Sequence, residues 1–118
     1  MEIKQILYIN KIRFVCDAVQ KTCKRSGIEC YTLEDTNDFM YLIDDLKPYA
    51  VVIEEDTYNE GADNFWSQIE NTTESTIPVI MGKNSGKFEV EMPLPLDMAN
   101  FVKDLTSKLA GHIKKRLR

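Results

Sequence analysis

The sequence predicts an α/β fold in which a doubly wound parallel sheet is covered by helices on both faces. Three observations carry that expectation. Apolar runs of strand length alternate along the chain with amphipathic stretches of helical period, the pattern of βαβ units. The runs at residues 6–9, 50–53 and 78–81 are apolar at nearly every position, as strands buried on both faces must be. The length, 118 residues, suits one domain that buries a core of its own without staples.

The elements follow in order. Ile6-Leu7-Tyr8-Ile9 is the first strand. Ile12, Val15, Cys16, Val19 and Cys23 then recur at the spacing of one helical stripe, and Gly27 supplies the stop. Residues 28–33 form the second strand. Asp35 or Thr36 caps a second helix whose Phe39, Leu42, Ile43 and Leu46 share a face, and Pro48 ends it. Residues 50–53 form the third strand and run into Glu54-Glu55-Asp56. Asp63 caps a short third helix with Phe65 and Ile69 inward, and a polar loop follows over residues 71–76. Its Asn71-Thr72-Thr73 matches a glycosylation sequon, expected to be accidental because Met1-Glu2-Ile3-Lys4 does not begin a signal peptide. Residues 78–81 are the fourth strand, and residues 88–91 a weaker fifth with alternating sides. Asp97 caps a last helix with Met98, Phe101, Val102, Leu105, Leu109, Ile113 and Leu117 inward.

Composition narrows the function classes. Apolar residues are 43% and charged residues 29%, an ordinary globular balance. No apolar run approaches the ~18 residues of a membrane span, so the expected compartment is the cytoplasm. Residues 34–74 hold twelve acids against the single base Lys47, while residues 1–113 come to −8. An acidic body does not suit a phosphate-backbone binder, so nucleic acid is not its expected partner. Cys16 and Cys23 sit on one helix with α-carbons about 10 Å apart, beyond disulfide reach. No C-x-x-C occurs and the lone His112 lies far from every cysteine, so buried reduced thiols are expected rather than zinc.

Sites in doubly wound sheets lie at the carboxyl ends of the strands. Here those ends carry Asn10-Lys11, Glu54-Glu55-Asp56, Gly82-Lys83 and Met92-Pro93. No glycine-rich phosphate loop follows the first strand, which excludes dinucleotide and P-loop readings, and no G-x-S-x-G is present.

Several segments carry a resemblance. Residues 4–9 look like the opening strand of the receiver domain of two-component response regulators, the CheY-like fold. Lys47-Pro48-Tyr49-Ala50-Val51-Val52-Ile53 is similar to the segment entering the receiver's phospho-acceptor strand. Ile77-Pro78-Val79-Ile80-Met81 resembles its fourth strand, and Pro93-Leu94-Pro95-Leu96 the segment after its Lys-Pro. The resemblance covers residues 3 to about 110 and implies a flavodoxin-like sheet of order 2-1-3-4-5. Residues 111–118 are then a basic helix end or the start of a linker.

The resemblance also implies where phosphoryl chemistry would lie. Receivers use two acids after the first strand to hold Mg2+ and an aspartate ending the third strand as nucleophile. A hydroxyl residue after the fourth strand and a lysine after the fifth read the phosphoryl group. The acid pair aligns with Asn10 and Lys11, the acceptor with Glu54, the hydroxyl with Lys83 and the lysine with Met92. None of the five residue types is retained. A lysine beside the cation's position repels it, so Mg2+ is not expected. Lys11 or Lys83 is expected to pair with Glu54 instead, with only a small net gain after desolvation. The expectation is a non-catalytic pseudo-receiver that binds protein partners without aspartyl phosphorylation. One alternative counts the acceptor back from Phe65 and makes Asp56 the phosphosite of a working receiver. Another makes the domain a dimerisation unit whose basic tail, residues 114–118, or a further output domain contacts nucleic acid. The acids at positions 54–56, 60 and 63 read as a solvated loop rather than a metal site.

One departure is topological. Only six residues, 82–87, separate the fourth and fifth strands, too few for the helix that receivers place there. Either a loop replaces that helix or residues 84–86 turn a hairpin with an antiparallel fifth strand. The loop is favoured, because Pro93-Leu94 leads into the last helix. The uncovered side then offers Phe88, Val90, Met92 and Leu94, with the last helix, as a partner or homodimer surface, and Trp66 as a further contact. The competing reading of Trp66 is partial core packing.

Overall fold

The computed structural model describes residues 3–37, 39–69, 76–84 and 86–116, without the side chains of Met40 and residues 113–116. The sequon, Leu117, the inward role of Ile113 and the basic side chains of the tail lie outside the described residues. Five parallel strands form one sheet of order β2-β1-β3-β4-β5: β1 (Gln5–Ile9), β2 (Glu29–Leu33), β3 (Ala50–Glu54), β4 (Ile77–Met81) and β5 (Val90–Met92). The helices are α1 (Arg13–Arg25), α2 (Phe39–Leu46), α3 (Glu55–Ile69) and α4 (Phe101–Arg116), the last preceded by a 3-10 turn over Met98–Asn100. The predicted strand order holds, and β5 is parallel to β4, so the connection is a loop and not a hairpin.

Alternation along the strands divides the core in two. Tyr8, Val52, Val79, Met81, Val90 and Met92 face one way, onto α1 and α4 through Cys16, Val19, Phe101 and Leu105. Leu7, Ile9, Val51, Ile53 and Ile80 face the other way, onto α2 and α3 through Phe39, Ile43, Phe65 and Ile69. Because both faces are covered, β1 is buried without a break from Ile6 to Ile9 and β3 from Ala50 to Ile53.

The predicted uncovered side is not uncovered. Phe88 lies outside β5 and turns onto the α3 face, where its ring packs 5.0 Å from Tyr58, 5.7 Å from Phe65 and 4.9 Å from Trp66. One aromatic plug thus covers the side that the short connection was expected to leave open. Asn84 holds the plug in place: its Nδ2 donates to the Phe88 carbonyl at 2.7 Å, and its Oδ1 accepts from Gly86 N–H at 2.9 Å and Phe88 N–H at 3.3 Å. Phe88, Val90 and Met92 are 5%, 3% and 2% exposed, so they are core and not a docking surface. Trp66 is half-buried, donates its indole N–H to the Tyr58 hydroxyl at 2.7 Å and carries Lys87 5.8 Å above its ring. Partial packing is therefore what Trp66 does. Leu94 alone of the proposed set stays exposed, at 41%.

Four other expectations change. The stretch read as an acidic loop is the first turns of α3, which begins at Glu55 and bends at Gly61, so Asp63 caps nothing. Acids in the first turn of a helix are favoured by its dipole. Ile12 precedes α1 and is exposed with Phe14, outside the inward stripe of Cys16, Val19 and Cys23. Helix α2 starts at Phe39, beyond the reach of Asp35 and Thr36; Asp35 instead accepts from Asn37 N–H at 2.9 Å in a local turn. Asp97 precedes the 3-10 turn, and its carboxylate binds the Asn100 side chain at 2.8 Å rather than backbone.

Candidate functional site

The strand register brings the candidate residues together at the carboxyl edge of the sheet. Glu54 pairs with Met81 and Met81 with Met92, while Asn10 follows Ile9, the partner of Ile53. Asn10, Glu54, Met81 and Met92 therefore occupy one row across β1, β3, β4 and β5.

At its centre is a residue the sequence reading overlooked. Thr57 donates its backbone N–H to Glu54 Oε1 at 3.1 Å and its hydroxyl to the same oxygen at 3.3 Å. The Thr57 hydroxyl in turn accepts the Lys11 backbone N–H at 2.8 Å. One buried threonine thus joins the ends of β1 and β3. Glu54 serves as a side-chain cap for α3, satisfying a first-turn donor that the helix leaves unpaired. Its signal in the sequence was the Glu54-x-x-Thr57 spacing at the end of an apolar strand.

The expected pairs with Glu54 do not form. The Lys11 ammonium binds Glu60 at 3.0 Å, and the Glu60 carboxylate holds that lysine above its ordinary pKa. Lys83 engages α3 through its backbone, whose N–H donates to Glu55 Oε1 at 2.6 Å, while its side chain is exposed. Asp56 is exposed on the first turn of α3, and β3 ends at Glu54 instead of extending through two glutamates as an Asp56 acceptor would require. Met92, at the β5 end of the row, is buried, and its carbonyl accepts the Gly82 N–H at 2.8 Å.

Asn10 is buried and fully engaged. Its Nδ2 donates to the Tyr8 hydroxyl at 3.1 Å, its Oδ1 accepts the Ile12 N–H at 2.9 Å, and its carbonyl accepts the Cys16 thiol at 3.1 Å. Tyr8 itself is 1% exposed, and burial pushes its hydroxyl from 10.0 up to about 12. The fold therefore favours the neutral phenol. That contribution is complete below pH 10 and is lost as pH rises toward 12. The expected result is a loss of about 2–3 kcal/mol over that interval, since each unit corresponds to about 1.4 kcal/mol. Tyrosinate absorbance read alongside denaturant unfolding checks it: one tyrosine should ionise last, and Tyr8→Phe should flatten the alkaline fall in stability. Ionisation of every tyrosine near pH 10 in the folded chain would contradict it.

No family model matches the sequence, and no curated protein matches it. Solved structures do match. The chemotaxis response regulator CheY4 of Vibrio cholerae is 10% identical, with a TM-score of 0.73 over 90% of this chain and 98% of that one. An orphan response regulator of H. pylori is 17% identical, with a TM-score of 0.73 over 90% and 96%. NtrX from Brucella abortus is 15% identical, with a TM-score of 0.75 over 98% of this chain and 28% of that one. The architecture of this chain is the CheY-like receiver fold.

Proposed function

We propose that this chain is a pseudo-receiver: a non-catalytic module of two-component type that binds protein partners without aspartyl phosphorylation. The observation that carries the reading is the engagement of Glu54. The residue at the receiver's acceptor position is a glutamate whose Oε1 is bonded twice by Thr57 and caps α3. A carboxylate in that role is a structural anchor and not a free nucleophile.

The surrounding donors suit Mg2+ poorly. This hard cation takes oxygen ligands in octahedral geometry. Asn10 already spends its amide oxygen on Ile12, and Lys11 brings an ammonium to a position where receivers bring an acid. Among the described residues no cluster of three or more histidine, cysteine or acidic side chains gathers for a metal. No described helix is long and apolar enough to cross a membrane.

With Phe88, Val90 and Met92 buried, the partner surface moves to the rim of the carboxyl edge. Ile12, Phe14 and Leu94 are 51%, 81% and 41% exposed there, on the segments that enter α1 and leave β5. The open edge of β5 is a weaker candidate for homodimerisation, because exposed Glu89 and Glu91 put charge along it.

Incubation with Mg2+ and acetyl phosphate tests the proposal. The expected mass spectrum shows no species heavier by one phosphoryl group, about 80 Da, under conditions that fully label a working receiver. A stoichiometric adduct on Glu54 or Asp56 would overturn it.

A further inference from the structure

β2 is an edge of the sheet, with β1 on one side and no described strand on the other. The ladder to β1 fixes which of its backbone groups face outward. Glu29 donates its N–H to the Lys4 carbonyl at 2.9 Å, and the Leu33 carbonyl accepts the Asn10 N–H at 3.0 Å. Alternation in a parallel pair then turns the N–H and C=O groups of Glu29, Tyr31 and Leu33 toward β1, and those of Cys30 and Thr32 away from it. The Gln20 side chain takes the outward carbonyl of Cys30 at 2.9 Å. The N–H and C=O of Thr32 point past the edge, where no described strand pairs with them. The opposite edge, β5, has three residues and exposed Glu89 and Glu91 along it, whereas β2 has five residues and a charge only at Glu29. Two open clefts lie along the β2 edge beside α1. One of about 720 Å³ is lined by Gln20, Lys21, Lys24, Glu29 and Tyr31, and one of about 340 Å³ by Arg13, Asp17, Thr32, Glu34 and Asp35. The N-terminal end of the edge is thus basic, two lysines against one glutamate, and its C-terminal end acidic, three carboxylates against one arginine.

We propose that this edge is a homodimer interface, in which β2 pairs antiparallel with β2 of a second copy and the two sheets become continuous. The charge pattern selects that occupant. A two-fold axis across the edge sets the basic end of each strand against the acidic end of the other, so one surface is complementary to itself. A parallel arrangement would bring like ends together, which charge repulsion disfavours. Thr32 is the centre of the pair. Its N–H donates to the Thr32 carbonyl of the second copy and its own carbonyl accepts the reciprocal bond, an exchange that leaves the Gln20–Cys30 bond intact. Main-chain bonds of this kind join the strands, and the flanking charges fix their direction. None of these residues belongs to the row of Asn10, Glu54, Met81 and Met92, so the interface stands independently of the pseudo-receiver reading.

The test is sedimentation velocity of the whole chain over a concentration series, in low and in high salt. The expected result is a monomer–dimer equilibrium that weakens as salt rises, because the pairing charges are exposed. Amide exchange at Thr32 should slow as concentration rises, while exchange at Tyr31, whose N–H is on the β1 side, should not change. Lys21→Glu combined with Lys24→Glu should weaken the dimer about tenfold or more, and Asp17→Lys combined with Glu34→Lys should do the same. All four side chains are exposed, so both variants should keep the native circular dichroism spectrum. Mixing the two variants should restore a dimer containing one copy of each, since the opposed ends then again carry unlike charge. A chain that stays monomeric throughout the series, a dimer that neither pair of substitutions weakens, or a mixture that remains monomeric would overturn the proposal.

Discussion

Phe88→Ala is expected to cost about 3–5 kcal/mol, the range for truncating a buried phenylalanine. Domains of this size hold about 5–15 kcal/mol in total, so the change removes a large share of the stability. The reason is particular to this chain. A receiver-like sheet normally covers this side of β4 with a helix, and here the cover is one ring between Tyr58, Phe65 and Trp66. The connection from β4 to β5 brings no helix of its own to fill the space, so the cavity is left against the α3 rings. Denaturant unfolding followed by fluorescence checks the prediction well, since Trp66 is the only tryptophan and its ring lies 4.9 Å from Phe88. The expected outcome is an early midpoint with Trp66 fluorescence already altered in the folded state. A loss under 1 kcal/mol with unaltered fluorescence would mean that the loop does not carry this face.

Gly82→Ala is expected to cost about 2–4 kcal/mol, combining backbone strain with overpacking. Gly82 has a φ of 121°, a conformation that side chains rarely adopt. An added Cβ would lie 2.7 Å from Glu55 Cβ and 3.0 Å from Leu94 Cδ1. The first of these cannot swing aside, because Glu55 is the opening residue of α3. Relief requires moving the start of that helix, and with it the Glu54–Thr57 bonds and the bond from Lys83 N–H to Glu55. The comparison is Gly27→Ala, where φ is 79° and no atom lies within 4 Å of the new Cβ; strain alone should make it the milder change. Hydrogen exchange at Thr57 and Lys83 should rise in the Gly82 variant and not in the Gly27 variant. Equal costs at the two positions would show that the close approach at Glu55 contributes nothing.

The two variants mark where the fold was legible in the amino-acid order and where it was not. The central strands were readable because burial on both faces demands continuous apolar runs, and residues 6–9, 50–53 and 78–81 provide them. Their alternation with helical stripes led to the doubly wound sheet, and Pro93-Leu94 led correctly to a parallel β5. Helix α3 was harder. Its first turns, from Glu55 to Glu60, carry charges and no inward period; what holds them is the Glu54–Thr57 cap and the packing of Tyr58 on Phe65 and Phe88. Phe88 misled because a strand reading puts residues 88 and 90 on one face. The chain instead turns before β5 and sends them to opposite sides of the sheet.

The site divides in the same way. Residue order alone placed Asn10, Lys11 and Glu54 at the carboxyl edge, because that depends only on where the apolar strands end. Which charge meets which depended on contacts across the chain. Lys11 finds Glu60, forty-nine positions away, and not Glu54, whose Oε1 is held by Thr57. Local periodicity reports burial, and burial is enough to specify strands, helices and their order. Hydrogen-bond partners depend on distances between segments remote in sequence, so only the packed fold decided that Glu54 is a helix cap and Phe88 the cover of an otherwise open face.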